Sequence, residues 1–350
     1  MSLTHLLGTD LPLIQAPLAG IQGHAMAVAV SEAGGLGSLP CAMLSHDALR
    51  QELGALSAGT SRPFNVNFFC HVPPAPDAAR EARWRDALRP YHAAFGLDVD
   101  AVPPGAGRVP FDAASAEVLE AFRPRVVSFH FGLPAPALLA RVKGWGAVVL
   151  GSATTVDEAR WLQAHGADAV IAQGLEAGGH RGHFLSDDLT VQLPTFALVP
   201  QVARAVSVPV IAAGGIADAD GVRAAMALGA AGVQVGTSYM LCDEAVTSDL
   251  HRRALQGDAA RHTALTTLFT GRPARGIVNR LMRELGPLSP AAPPFPTATA
   301  AIAPLRARAE AAGLGDFSPL WSGQNATGCQ AIGAAPARRG GGGGGSGGRG

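Results

Sequence analysis

The chain up to residue 240 alternates between short apolar runs and longer segments of mixed polarity. Runs in which consecutive positions are apolar, rather than alternate ones, predict strands that are buried on both faces. We predict eight such strands, at residues 13–17, 36–39, 64–69, 126–130, 147–151, 169–172, 209–213 and 232–235.

The segments between most of these strands carry helix signals. An Ala-rich segment at 24–33 ends at a glycine pair, and further helices are predicted after the capping residues Ser45 and Thr155. This alternation predicts a TIM (β/α)8 barrel over residues 1–242, with its active site at the carboxyl ends of the strands. A doubly wound open sheet is the alternative, although no GxGxxG motif follows the first strand, as a Rossmann dinucleotide site requires.

The alternation is interrupted once and ends before the chain does. Residues 71–124, after the third strand, are rich in proline, alanine and arginine, and we interpret them as an insertion that covers the site. Residues 243–334 are helical in pattern and then Pro-rich, and we expect them to pack at the barrel mouth. The Gly-rich tail at 335–350 has nothing to bury and is predicted to be disordered.

Composition narrows the range of partners. The 350 residues include 27 basic and 27 acidic side chains, so nothing in the net charge favours nucleic acid or an anionic membrane. No apolar run approaches the roughly 20 residues of a membrane-spanning helix. The N-terminus lacks the features of a signal peptide, and the four cysteines form no CxxC pair. We therefore expect a cytoplasmic protein with reduced thiols.

The segment 172–184, AQGLEAGGHRGHF, is the strongest candidate for chemistry. It follows the sixth predicted strand and contains the amide Gln173, a glycine pair at 178–179, and the imidazoles His180 and His183. Glycines let the backbone approach a ligand closely, and histidine exchanges protons near neutral pH. A strand that ends in such a loop is a typical place for catalytic residues.

A metal site is the main alternative interpretation of this loop. Four residues are plausible ligands by type: Glu176, His180, His183 and Asp187. Their spacing does not match a helical HExxH motif, and the glycine pair disfavours a helix, so we predict no metal. Seven other histidines have no comparable surroundings and are predicted to lie at the surface: His5, His46, His71, His92, His165, His251 and His262.

The last two predicted strands both end in glycine turns. Gly214 and Gly215 follow the seventh strand, and Gly236 and Thr237 follow the eighth. In TIM barrels the loops after these two strands often bind a phosphate through backbone N–H groups and a helix N-terminus. We therefore predict a phosphate-binding site there, although the glycines also suit tight turns that bind nothing.

Four amide side chains lie in or at the end of predicted strands: Gln15, Asn67, Gln173 and Gln234. Buried amides are costly unless they find partners. A flavin offers polar ring edges to such amides and carries a phosphate, so flavin mononucleotide (FMN) fits this set better than a sugar phosphate.

Several stretches together resemble a known family, the nitronate monooxygenases, formerly called 2-nitropropane dioxygenases. NVNFFCH, SFHFG and EAGGHRG are similar to the bacterial and fungal branch that is often called class I. The stretches are IQAPLAG (14–20), NVNFFCH (65–71), VVSFHFGLP (126–134), AQGLEAGGHRGHF (172–184), PVIAAGGIADADGV (209–222) and GVQVGTSYM (232–240).

The resemblance implies a TIM barrel with non-covalent FMN and a catalytic histidine at His180, with His130 as a second active-site histidine. The residues it implies for FMN contact are Asn67, Gln173, Gly178, Gly215, Gln234, Val235, Gly236 and Thr237. To these we add Ala16 and Pro17, where the first strand ends, and Gly214.

The activity that the resemblance implies is oxidation of an alkyl nitronate, such as propionate 3-nitronate, by O2 to a carbonyl compound with nitrite or nitrate. One alternative is an FMN-dependent NAD(P)H reductase of enoyl thioesters or quinones. Another is a barrel that binds FMN or phosphate without catalysis. We expect a small-molecule substrate and no nucleic acid or membrane partner. Both a monomer and a homodimer remain open.

Overall fold

The structure is a computed structural model that describes residues 2–103 and 107–337. Its eleven strands are β1 (Leu13–Gln15), β2 (Gly37–Pro40), β3 (Phe64–Phe69), β4 (Val126–His130), β5 (Val148–Ala153), β6 (Ala169–Gln173), β7 (Gly179–His180), β8 (Val210–Ala213), β9 (Gly232–Val235), β10 (Thr263–Thr266) and β11 (Ala274–Ile277). Eight of these coincide with the eight apolar runs of the sequence.

Those eight strands form one parallel sheet in the order β1-β9-β8-β6-β5-β4-β3-β2. A parallel bridge between Ile14 and Leu36 joins β1 to the residue before β2, which closes the sheet. The predicted TIM barrel is therefore confirmed, and the open-sheet alternative is wrong.

Helices fill the connections and cover the outside of the barrel. They are α1 (Leu3–Leu7), α2 (His24–Glu32), α3 (His46–Gly59), α4 (Ala78–Ala94), α5 (Ala113–Phe122), α6 (Pro136–Gly144), α7 (Val156–Ala164), α8 (Thr195–Ala205), α9 (Ala219–Ala227), α10 (Asp249–Gln256), α11 (Arg280–Leu285), α12 (Thr299–Ala311) and α13 (Ala334–Ala337). Ser45 and Thr155 cap α3 and α7 as predicted, each accepting a hydrogen bond from a backbone N–H in the first turn.

Helix α8 was not predicted, because two prolines obscure its pattern. Pro194 is its N-cap and Pro200 lies inside it, yet its apolar face is buried through Leu198 and Val202. The N-cap proline is tolerated because the first N–H groups of a helix have no intrahelical partner, whereas Pro200, the sixth residue, removes an N–H that the helix would otherwise use.

The barrel interior is apolar at the N-terminal ends of the strands. Leu3 and Leu7 of α1 pack with Ile14, Val126 and Ile211 from the strands. Helix α1 therefore closes that end of the barrel, and among the described residues the opposite end is the one open to a ligand.

The segments outside the regular barrel meet each other. Trp84 and Leu88 of α4, in the insertion after β3, share an apolar core with Ile302 and Leu305 of α12. The Trp84 indole N–H also donates to the Ala298 carbonyl at 3.1 Å. Strands β7, β10 and β11, none of them predicted, form a small antiparallel sheet that links the 172–184 loop to the C-terminal segment.

The predicted disordered tail begins at residue 335, but α13 includes residues up to Ala337. The remainder of that tail, 338–350, lies outside the described residues. Within the described ranges the structure has no helix with the length and apolar character that crossing a bilayer requires.

Candidate active site

A cleft opens at the carboxyl ends of the barrel strands, with an empty volume of about 1380 Å³ including its open mouth. Twelve of the thirteen site residues predicted from the sequence line it: Ala16, Pro17, Asn67, His130, Gln173, Gly178, His180, Gly214, Gly215, Gln234, Gly236 and Thr237. The thirteenth, Val235, packs into the core between the sheet and the outer helices, and only its carbonyl turns back to accept the Ala16 N–H at 2.8 Å.

One end of the cleft, which we call the glycine end, is formed by Gly178, Gly214, Gly215, Gly236 and Thr237. Gly214 and Gly215 have φ values of 118° and 73°, which residues other than glycine rarely adopt. A Cβ on Gly178 would lie 2.5 Å from the Gly323 backbone nitrogen. Glycine is therefore required here both by conformation and by close packing.

A strap formed by residues 321–329 lies across the glycine end. The Gly323 N–H donates to Thr237 Oγ1 at 3.0 Å, and the Asn325 amide donates to the Gly215 carbonyl at 3.0 Å. The Cys329 thiol donates to the Thr237 carbonyl, also at 3.0 Å. The strap therefore forms hydrogen bonds to both predicted phosphate turns, although no sequence motif marks it.

The four strand amides have different surroundings. Gln15 is fully buried, and its carbonyl accepts the Ser38 N–H at 3.0 Å, so it does not line the cleft. Gln173 lines the cleft, but its NH2 donates to the His180 carbonyl at 2.9 Å and its oxygen accepts the Gly182 N–H at 2.8 Å. These two amides thus stabilise the strand ends and the 172–184 loop.

Asn67 and Gln234 are the amides with unused hydrogen-bonding capacity. The Asn67 NH2 donates to Ser128 Oγ at 2.9 Å, and its oxygen accepts no hydrogen bond from the described part of the chain. Gln234 Oε1 is buried in the cleft wall without a hydrogen-bond partner among the described residues. Because an unpaired buried acceptor is costly, a bound group that donates hydrogen bonds fits this wall.

The other end of the cleft, the histidine end, contains His130 at the end of β4 and His180 in β7. His180 Nε2 lies 2.9 Å from Thr270 Oγ1, and the His130 Nε2–H donates to the His180 carbonyl at 3.2 Å. Four aromatic rings surround His180, with centroids 5.4 to 6.3 Å away: Phe69, Phe131, Phe295 and Trp321.

Both imidazoles are neutral at physiological pH. Burial lowers the pKa of His180 well below 6.5, and the nearby charges of Arg108 and Arg272 lower it further. Burial lowers the pKa of His130 to about 3, which the hydrogen bond to the His180 carbonyl offsets only in part. The histidine end therefore presents uncharged rings in a positive, aromatic environment.

The remaining polar residues of the 172–184 loop support its structure. Arg181 is fully buried and donates to the Gln173 and Gly174 carbonyls at 2.7 and 2.6 Å, so it points away from the cleft. Glu176 accepts the Thr195 N–H at 2.8 Å. No group of three or more potential metal ligands occurs within residues 2–103 and 107–337.

Three histidines predicted at the surface are buried instead: His71, His92 and His251. Each Nε2 donates to a backbone carbonyl, those of Arg108, Ala301 and Trp321 respectively, at 2.8 to 3.1 Å. Their sequence neighbours gave no sign of burial because the covering segments come from elsewhere in the chain.

Sequence reasoning also missed several residues of the histidine end. Arg108 lies in the insertion, and Thr270, Phe295 and Trp321 lie in the C-terminal segment. They are isolated in irregular stretches, so no local periodicity or motif marks them.

The fold and the cleft define the class of this molecule: a TIM-barrel enzyme with its active site at the carboxyl ends of the strands. The family model for nitronate monooxygenase matches residues 1–336. Nitronate monooxygenases from Paraburkholderia phytofirmans and Pseudomonas aeruginosa are each 42% identical, covering 95% and 96% of this chain and 92% and 96% of their own lengths.

The chain therefore belongs to the nitronate monooxygenase family, whose members are flavoenzymes. Among solved structures, nitroalkane oxidase from Streptomyces ansochromogenes superposes with a TM-score of 0.87 at 38% identity, covering 97% of this chain and 96% of its own. FabK from Thermotoga maritima is more distant, with a TM-score of 0.71 at 28% identity over 97% of this chain and 94% of its own.

Proposed function

We propose that this protein uses FMN to oxidise alkyl nitronates with O2, giving a carbonyl compound with nitrite or nitrate. The observation that carries the proposal is the joining of two features in one cleft: glycine turns after β8 and β9, and the neutral His180 imidazole among aromatic rings. The names of the relatives support the same activity.

The glycine end suits the phosphate of FMN. The positive φ values of Gly214 and Gly215 turn the backbone so that its N–H groups can face an anion, and the Thr237 hydroxyl lines the same end of the cleft. Toward the middle of the cleft, Asn67 and Gln234 offer acceptor oxygens to the polar edge of the ring. When bound, FMN supplies the redox chemistry that links substrate oxidation to O2.

His180 is the proposed catalytic residue. Thr270 holds one ring nitrogen at 2.9 Å, and the second, Nδ1, has no hydrogen-bond partner among the described residues. A ring held in this way can contact the nitro oxygens of a substrate in the cleft. His130 fixes the loop by donating to the His180 carbonyl, so we propose that it positions His180.

The low basicity of His180 favours one ionisation state of the substrate. A base whose pKa lies well below 6.5 removes a carbon-bound proton poorly at neutral pH. A nitronate has already lost that proton, whereas a neutral nitroalkane has not. We therefore expect turnover of nitronates to exceed turnover of the parent nitroalkanes.

The test begins with the visible spectrum and extraction of the cofactor from the purified protein, followed by O2 uptake. We expect a yellow protein that releases FMN and that consumes O2 with propionate 3-nitronate but not with NADH. A colourless protein that cannot be reconstituted with FMN overturns the proposal.

A reductase that takes hydride from NAD(P)H for an enoyl thioester or quinone is the second candidate. Its support is the 28% identity to FabK over nearly the whole chain. Rapid bleaching of the flavin by NADH under anaerobic conditions, without O2 uptake on nitronates, would favour it. A bound chromophore with neither reaction would favour a non-catalytic barrel. A cytoplasmic location and a monomeric or homodimeric state stay predictions.

A further inference from the structure

Arg108 is a cationic side chain in the wall of the cleft whose charge has no described counter-ion. It lies in the insertion between α4 and α5, and its guanidinium carbon is 5.3 Å from the centroid of the Phe295 ring. No carboxylate within residues 2–103 and 107–337 forms a salt bridge with it. Burying an unpaired charge costs free energy, and an anion bound beside the Arg108 guanidinium would reduce that cost.

The other charged groups near the cleft do not neutralise the positive charge of Arg108. Among the described residues that line the cleft, Glu176 carries the only carboxylate, and that group accepts two hydrogen bonds of 2.8 Å from Thr195. Arg272 adds a second positive charge behind the wall, with its guanidinium carbon 4.2 Å from the centroid of Phe131. Lys143, the sole lysine in the sequence, pairs with Asp168 on the outside of the barrel.

Arg108 also lies next to the proposed reaction centre. The Phe295 ring contacts both the Arg108 guanidinium, at 5.3 Å, and the His180 ring, with centroids 5.4 Å apart. Because His130 and His180 are neutral, neither can balance the charge of an anionic substrate. A planar group with two oxygens that share one negative charge matches the two parallel N–H donors of a guanidinium.

We propose that Arg108 binds the anionic head of the substrate and thereby selects the ionised nitronate over neutral molecules of the same shape. This inference rests on the proposed function for the identity of the substrate. The site itself, an unpaired guanidinium in the cleft wall beside the Phe295 ring, does not depend on the reaction.

The first measurement is binding of sodium nitrate, a planar oxyanion that cannot be oxidised further, to the protein as purified, by isothermal titration calorimetry. We expect Arg108→Gln to weaken nitrate binding about tenfold or more, and Arg108→Lys to weaken it severalfold, because lysine keeps the charge but cannot form the paired hydrogen bonds. Arg83→Gln is the matched control, because Arg83 is exposed on α4 of the same insertion. It removes the same charge and should leave nitrate binding unchanged.

The second measurement is steady-state oxidation of propyl-1-nitronate by the same variants. Arg108→Gln should raise KM about tenfold and change kcat less than threefold, because the charge acts on binding. Circular dichroism and cofactor content show whether each variant is folded. If Arg108→Gln does not fold, Arg108→Lys decides the matter through a KM raised severalfold, since lysine cannot form the paired hydrogen bonds.

The outcomes separate this inference from the proposed function. If nitronates are oxidised but the KM of Arg108→Gln stays within twofold of the KM of the unsubstituted protein, the inference is wrong and the proposed function stands. If nitronates are not oxidised but nitrate binding depends on Arg108, the anion site stands and the proposed function is wrong. Nitrate binding that is absent, or equal in Arg108→Gln and Arg83→Gln, overturns the inference.

Discussion

The glycine end and the histidine end of the cleft are built in different ways. The glycine end uses backbone from the turns after β8 and β9, closed by the strap. The histidine end uses side chains from five separate parts of the chain, among them Arg108, His180 and Phe295. Backbone recognition suits a group that every member of a class shares, such as a phosphate. Side-chain recognition can change from one protein to the next without altering the barrel.

The largest effect should come from filling the tightest point of the glycine end. Gly178→Ala places a Cβ 2.5 Å from the Gly323 nitrogen and 2.6 Å from the Ser322 carbonyl carbon, so the strap must move. We expect cofactor affinity to fall about a hundredfold or more, with a lower Tm, because overpacking costs about 1–3 kcal/mol in addition to the lost site. Flavin fluorescence on dilution measures the affinity.

Gly179→Ala is the control for this variant. Gly179 has φ 70°, but no heavy atom lies within 4 Å of its added Cβ, so it tests backbone strain without a clash. We expect a smaller loss, of about 1 kcal/mol in stability, with the cofactor retained. Equal cofactor loss in both variants would show that strap packing is not what holds the glycine end together.

The next effect should appear at the histidine end and leave the cofactor in place. His180→Asn removes the ring that we propose contacts substrate, and we expect kcat/KM for a nitronate to fall about a hundredfold. His183→Asn is the control, because His183 is a buried imidazole of the same loop that does not line the cleft. Unchanged turnover of both nitronate and nitroalkane by His180→Asn would mean that another residue has this role.

This contrast between the two ends also separates what the sequence could predict from what it could not. The barrel and the glycine end were predictable because apolar runs mark buried strands, and glycines at strand ends mark turns that no other residue fits. Gln15 and Gln173 show the limit: both were expected at the cofactor, yet both have their amides bonded within the protein. Residue type and strand position alone do not reveal which amide already has partners.

The histidine end was only half predictable for a related reason. His180 lies in a recognisable motif, whereas Arg108 and Trp321 reach the cleft from irregular segments far apart in sequence. Their positions depend on contacts between the insertion and the C-terminal segment, such as Trp84 with Ala298. Such long-range packing leaves no periodicity, and the same holds for the two-residue strand β7.

The neutral imidazoles should make stability depend on pH below neutrality. The pKa values of His130 and His183 are lowered to about 3, so in the range between about 3 and 6.5 the unfolded chain binds protons that the folded chain does not. The free energy of unfolding therefore falls as pH decreases through that range and is insensitive to these groups above it. Denaturant titrations at pH 7 and pH 5 measure the difference.

His130→Gln tests the assignment of this pH dependence to the histidine end. It should reduce the stability difference between pH 7 and pH 5 by about 1–2 kcal/mol, because one of the depressed groups is gone. His5→Gln, which removes an exposed imidazole, should leave the difference unchanged. If the two variants show the same pH dependence, His130 is not protected from protonation in the folded protein.

The smallest effect should come from loosening the strap without a clash. Asn325→Ala removes the hydrogen bond from the Asn325 amide to the Gly215 carbonyl, while the bond from the Gly323 N–H to Thr237 remains. Asn325 is exposed enough for water to replace the lost donor, so the cost should be about 1 kcal/mol, or roughly a fivefold faster release of the cofactor. That rate is measured by stopped-flow flavin fluorescence after dilution into an excess of an apo-flavodoxin, which captures the released cofactor.

Gln201→Ala, which removes an exposed amide on the outer helix α8, is the control. If Asn325→Ala releases the cofactor no faster than this control, the strap covers the glycine end but does not retain the cofactor. The two ends of the cleft would then differ in the groups that donate hydrogen bonds and not in how they are closed.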